Sequence, residues 1–376
     1  MTPAHTPPYN IGLPMPDFAR ASAGPRSPLR MSLLGAAVCL LGLAETGCIS
    51  EILTNGQIAA TRQAAVAVNT IADYELQRSA TQAGIAQFEG MHLLAPNNKD
   101  ALFLLTQAWG GYAFAFPEDE YEEATDRGDD DLAEYHKKRA RLGYDRAVFY
   151  GLELLGKNDG GFDAAKRNAD TMHAWLTEHF TSADDAANLF WTSYAWLSRV
   201  NLYKDDTSMV AELFVGVAMM EHSVSLDPTL EHWSGTIALG AYHARPAGEM
   251  DQAKQMFDTA LAKTERKNLM VQLNYATSYA CLKGDRALYE SLLNEVIAAK
   301  DPDPEQRLVN MLAKRRARRA LGKQRMMDCG FSPTPAAPAH PAAVAAPVAP
   351  PAPAPAAAPP PPPPAAKPKP AAGAAK

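Results

Sequence analysis

The sequence predicts an all-α fold: a run of stacked helix pairs between two ends that do not join the core. Three observations lead there. Proline is concentrated at the ends, with 7 of 30 before residue 30, 17 after residue 332 and only 6 between. Between the ends, apolar residues recur at helical spacing, and no segment shows the alternation of a β-branched strand. Helix stops also recur. Leu226-Asp227-Pro228 and Lys300-Asp301-Pro302 lie 74 residues apart, and Gly248-Glu249 and Gly284-Asp285 lie 36 apart. Helix pairs repeating at roughly this interval indicate a tetratricopeptide-like solenoid. Each pair buries its apolar face only by stacking on its neighbour, which leaves a concave surface. The full tetratricopeptide pattern is missing, so the repeats are degenerate.

The chain then divides as follows. Residues 1–47 form a signal region that is removed. Arg26 and Arg30 precede 14 mostly apolar residues, Met31 to Ala44, and Thr46-Gly47-Cys48 follows. A positive flank, a short apolar run and small residues before a cleavage point make a secretory signal. A cysteine just after that point makes it a lipoprotein signal, with lipidation at Cys48. The run is too short to span a bilayer, which takes about 20 apolar residues. Glu45 is the awkward position, since an apolar residue is usual there. Ile49 follows the cysteine where Asp would mark inner-membrane retention, so the outer membrane is favoured. The protein is thus expected on the periplasmic side of the cell envelope, held to the membrane by a lipid anchor. Residues 332–376 are a Pro/Ala-rich tail with nothing apolar enough to bury, an extended polyproline-like spacer.

Residues 48–331 are the helical repeat domain. Gln77–Leu94 places Ile85, Phe88, Met91 and Leu94 on one face, and Ala101–Phe116 continues apolar and aromatic. Asp131–Leu155 opens on an acidic turn and stops at Gly156, both good boundaries. Asp184–Tyr203 is rich in aromatics. Val210–Leu226, His232–His243, Met250–Lys263, Leu269–Lys283 and Ala287–Lys300 are shorter helices with brief connections, and Arg307–Met327 closes the set.

Charge and motifs exclude much. Net charge is −6, which leaves no global nucleic-acid footprint. The chain lacks HExxH, GxSxG, a P-loop and paired CxxC motifs, so no enzyme and no cofactor are expected. The nine histidines are scattered and give no metal site. Glu118 to Glu134 holds ten carboxylates against Arg127 alone. The alternating spacing of a calcium loop is absent, and the plain reading is a solvated loop and helix start. The basic run Lys314, Arg315, Arg316, Arg318, Arg319, Lys323, Arg325 reads as the polar face of the last helix, available to lipid headgroups or an acidic partner. Cys281 and Cys329 could pair in an oxidising compartment; two buried free thiols is the favoured reading.

The aromatics offer two readings. At helical spacing, Phe190, Trp191, Tyr194 and Trp196 are more often core. Mixed with Arg199 and Asn201 they also suit a cleft for an organic ligand. Trp191 and Tyr194, three apart, share a helix face with Ser198, and Arg199 lies on the neighbouring edge. The candidate ligand or partner site is therefore Tyr112, Trp191, Tyr194, Arg199, Asn201, Tyr242 and Arg245. An arginine there would clamp a carboxylate in two-point fashion.

Four segments carry a resemblance to a known family. They are Gly111-Tyr112-Ala113-Phe114-Ala115-Phe116 before the acidic stretch, Phe190-Trp191-Thr192-Ser193-Tyr194-Ala195-Trp196 with Arg199-Val200-Asn201-Leu202, Tyr242-His243-Ala244-Arg245-Pro246, and Lys267-Asn268-Leu269-Met270-Val271. In order and spacing the chain resembles the T component of TRAP transporters, TatT, over roughly Cys48 to Met327. The resemblance implies a periplasmic lipoprotein of cryptic tetratricopeptide-like helix pairs, an accessory to a TRAP-type solute uptake system. It implies a TRAP substrate-binding protein as partner, trimers, and an apolar cavity for a hydrophobic ligand such as a small lipid or organic acid. The Pro/Ala tail and Glu45 depart from the family. The alternative is a tetratricopeptide-type scaffold lipoprotein for cell-wall or outer-membrane assembly.

Overall fold

The computed structural model describes residues 51–156, 161–246 and 248–332. The signal region, Cys48 and the Pro/Ala tail lie outside the described residues. Those described are helical almost throughout and contain no strand, so the fold is all-α.

Helix α1 covers residues 51–65 and ends in a 3-10 turn, Val66–Thr70. Then follow α2 (Tyr74–Leu94), α3 (Lys99–Ala115), α4 (Pro117–Arg127) and α5 (Asp130–Leu154). Short side chains set the starts: Asp73, Asn98 and Asp129 each accept a backbone N–H of the first turn. Next come α6 (Phe162–Ala165), α7 (Ala169–His179), α8 (Ala183–Leu202), α9 (Thr207–Ala211), α10 (Leu213–Leu226), α11 (Leu230–His243) and α12 (Met250–Lys263). Ser182 and Asp185 cap α8 reciprocally, which holds the start of the aromatic helix in place. The last set is α13 (Leu269–Asn274), a π-helical stretch (Tyr275–Ala280), α14 (Cys281–Lys283), α15 (Arg286–Ala298), α16 (Arg307–Ala320) and α17 (Lys323–Asp328).

Helix α3 packs along α5 and α8, α8 along α10, and α10 passes the stack on to α11 and α12. At the α8–α10 crossing Gly216 lets the backbones close in. A Cβ there would stand 2.8 Å from Leu197, and Ser193 Oγ donates to the Gly216 carbonyl at 2.7 Å. A second core forms around Phe257, Tyr275, Tyr279 and Tyr289 in the C-terminal helices. Helix α16 then returns to the first elements, touching α2, α3 and α4, and Arg307 donates to the Thr70 carbonyl at 2.9 Å.

The structure corrects several expectations. The acidic stretch is not a solvated loop. Pro117 starts a helix at its first position, and Gly128 ends it in the left-handed conformation. The segment expected as one helix over Leu269–Lys283 is interrupted by the π-helical stretch, and Arg307–Met327 breaks at Leu321-Gly322. Helix α7 and the helix at 51–65 were not expected. The favoured free-thiol reading also fails: Cys281 and Cys329 are disulfide-bonded, because α14 and the end of α17 bring their Cα atoms to 4.9 Å.

Candidate functional site

Helix α8 supplies one wall of a cavity of about 800 Å³. Phe190, Trp191, Tyr194, Leu197, Ser198 and Asn201 face it, as the three- and four-residue spacing requires. Phe114 of α3, Ile237, Ala238, Ala241 and Tyr242 of α11, Met270 and Leu273 of α13, and Leu308 and Leu312 of α16 complete an apolar and aromatic lining. The rings hold one another. Tyr194 stacks with Phe190 at 6.1 Å and meets Trp191 and Phe114 edge-on, each at 5.8 Å. Such pairs fix ring positions beyond what burial alone would do.

One part of the lining is ionic. Helix α4 presents Glu118, Glu122 and Asp126, the α16–α17 segment presents Arg316, Arg319 and Arg325, and Asp119 and Arg315 join the same network without lining the cavity. Arg315 meets Asp119 at 2.8 Å, Arg319 meets Asp119 at 2.6 Å and Glu122 at 3.0 Å, and Arg325 meets Asp126 at 2.6 Å. Arg316 lies among Asp119, Glu122 and Glu118 at 3.5 to 3.9 Å, covers the Phe114 ring at 4.2 Å and donates to the Phe114 carbonyl at 3.0 Å. Asp119 is fully buried; burial opposes its charge, but the arginines, Arg316 foremost, hold its carboxyl below the usual range. Burial acts against the charge of Arg316 too, and its three carboxylate neighbours outweigh that. Glu118 differs. Desolvation dominates and pushes it up to about 7, although Arg316 and a hydrogen bond from the Tyr144 hydroxyl pull the other way.

Away from that cluster stands Glu231, which also lines the cavity. Trp191 Nε1 donates to its Oε1 at 3.2 Å, and burial raises its carboxyl above the usual range. Its backbone is unusual. Glu231, His232 and Trp233 all have positive φ, 46°, 55° and 68°, so regular helix begins only at Ser234. Side chains other than glycine adopt this conformation at a cost of about 1 kcal/mol or more each. Asn268 holds the turn by donating to the His232 carbonyl at 3.0 Å.

Of the seven residues singled out in the sequence, the cavity brings together Trp191, Tyr194, Asn201 and Tyr242. Three do not line it. Tyr112 of α3 is buried outside the lining, its hydroxyl accepting from Arg139 at 2.6 Å. Arg199 points away, over Trp196 at 4.5 Å and toward Glu212 at 3.6 Å. Burial lowers its pKa, only partly offset by Asp145 and Glu212. Arg245 is exposed, stacked on Tyr242 at 3.7 Å. Sequence reasoning missed Glu118, Arg316 and Glu231. The first two left a signal: 118, 119, 122, 123 and 126 recur on one helix face, and 315, 316 and 319 on another, opposite in charge. Glu231 left none, because nothing in the residues around it marks a left-handed turn.

Fold and cavity define the class of protein first: an all-α domain with a largely apolar cavity among its helices. The family follows. Residues 71–327 match the family TAtT, TRAP transporter T-component, over more than half of the chain, and the chain belongs to that family. It is therefore an accessory component of a TRAP transport system, associated with the cell envelope, and its family is one of transport components and not of enzymes. No curated protein matches the chain.

Proposed function

We propose that this chain is a lipid-anchored periplasmic helper of solute uptake, which binds a TRAP substrate-binding protein and holds an apolar ligand in its cavity. The aromatic cavity inside a TRAP T-component carries the reading. Its volume of about 800 Å³ is that of a small-molecule site, and interlocked rings give a ligand large contact area at little entropic cost. The lipid on Cys48 keeps the protein at the membrane, on the outer-membrane side, where a binding protein can reach it. The chain acts as a trimer in which each subunit has its own cavity.

The test combines the full chain with the substrate-binding protein encoded beside the same organism's TRAP permease. A complex seen by titration calorimetry, weakened by Trp191→Ala, supports the reading. Absence of a complex, with binding to cell-wall fragments in its place, would turn it into the envelope scaffold. For the anchor, Cys48→Ala should move the protein from the membrane to the soluble fraction and abolish fatty-acid labelling. Unchanged fractionation and labelling would remove Cys48 from the account.

A further inference from the structure

The cationic side chains that line the cavity are already matched. Arg316, Arg319 and Arg325 each lie within 3.9 Å of a carboxylate of α4, and Asp119 and Asp126 sit at 2.6 Å from Arg319 and Arg325. A ligand carboxylate arriving there would compete with carboxylates that the fold holds in place. Glu231 is the opposite case. Among the described residues it forms no ion pair, and Trp191 Nε1 is the hydrogen-bond donor to its carboxylate. The base that acts on it is His232, exposed on the same turn. Its carboxylate is desolvated, the residue is only half-buried, and it belongs to the cavity lining. Trp191 stands beside it, and the Phe190 and Tyr194 rings meet Trp191 edge-on at 5.2 and 5.8 Å. The strained left-handed turn that puts it there is held by Asn268. Strain of this kind persists where the surrounding structure fixes it, and it gathers at ligand sites.

We infer that the ligand carries a positively charged nitrogen, an amine or quaternary ammonium group, seated on Glu231 beside the Trp191 ring and the aromatic wall that continues from it through Phe190 and Tyr194. A ring face attracts a cation through its quadrupole, most strongly when the cation is desolvated. An unpaired carboxylate nearby adds a charge complement that a cavity for a simple carboxylic acid would not contain. The apolar body of the ligand then lies along Ile237, Leu273 and Leu312. This inference rests on the cavity being a ligand site, as proposed above.

The test uses three probes of equal chain length with the full-length protein: hexyltrimethylammonium, hexanoate and hexanol, titrated at neutral pH and followed by tryptophan fluorescence and calorimetry. Hexyltrimethylammonium should bind on the order of tenfold more tightly than hexanoate. Glu231→Gln, whose amide oxygen still accepts from Trp191, should erase that preference and leave hexanol binding unchanged. The comparison of probes on the unaltered protein stands even if the variant fails to fold. If hexanol or hexanoate binds as tightly as the ammonium, the charge inference fails and the cavity reading survives. If none of the three binds, both fail.

Discussion

The charged walls of the cavity, α4 against α16 and the turn at Glu231, treat charge in opposite ways. At the first wall every arginine is met by carboxylates that come from nearly 200 residues earlier in the chain, as in Arg315–Asp119. That network joins the last long helix to the first ones and so closes the fold. At the second wall a single carboxylate sits on strained backbone with one neutral donor. The difference separates two uses of a buried charge. Where partners surround it, the charge holds the architecture, and removing one partner strands the others. Where none does, its desolvation remains uncompensated until something else arrives.

The largest effect is expected at Arg316. Arg316→Leu leaves Asp119, Glu118 and Glu122 without it in a buried setting, and should lower unfolding free energy by about 3–5 kcal/mol. Denaturant titration measures this, and a loss below about 1 kcal/mol would mean that the network is not holding the helices together. Next in size is the disulfide. Cys281 and Cys329 are separated by 48 residues, and reduction should cost about 2–4 kcal/mol, read as a lower melting temperature in dithiothreitol. An unchanged melt would return these residues to the free-thiol state.

Glu118 sharpens the picture through pH. Its folded pKa of about 7 lies above the ordinary 4.5, so between these values the folded state keeps a proton that the unfolded state has released. Stability from this group therefore falls as pH rises from about 4.5 to 7, and the penalty is complete above that. Glu118→Gln should flatten the decline, with an advantage on the order of 2 kcal/mol at pH 8. Parallel pH profiles for variant and parent would show that Glu118 ionises normally. The smallest effect is expected at Arg199. Because it lies over Trp196 and outside the lining, Arg199→Leu should cost about 1 kcal/mol and leave probe binding intact. A loss of binding with normal stability would restore it to the site.

The helical class and the aromatic wall were legible in the sequence because both depend on local spacing. Trp191, Tyr194 and Ser198 share a face by helix geometry alone, and that face does line the cavity. The arginine expected to accompany them was wrong in position: Arg199 is one residue further round, and one residue turns a side chain by about 100°. The acidic and basic runs were misread for a different reason. Each looked like a solvated surface when taken singly, and only their meeting across nearly 200 residues makes Asp119 buried. Nothing local announced that pairing except the matching periodicity. The turn at Glu231 was the least legible, since its conformation is imposed from outside by Asn268.

Charge at Arg316 serves the fold, while charge at Glu231 serves a ligand. Unfolding free energy and hexyltrimethylammonium affinity, measured side by side on Arg316→Leu and Glu231→Gln, separate the two roles. Arg316→Leu should lose several kcal/mol and, under folding conditions, keep its preference for the ammonium probe over hexanoate. Glu231→Gln should hold its stability to within about 1 kcal/mol and lose that preference. A Glu231→Gln protein that unfolds far more easily yet still prefers the ammonium probe would contradict this separation, because Glu231 would then be scaffold and not site.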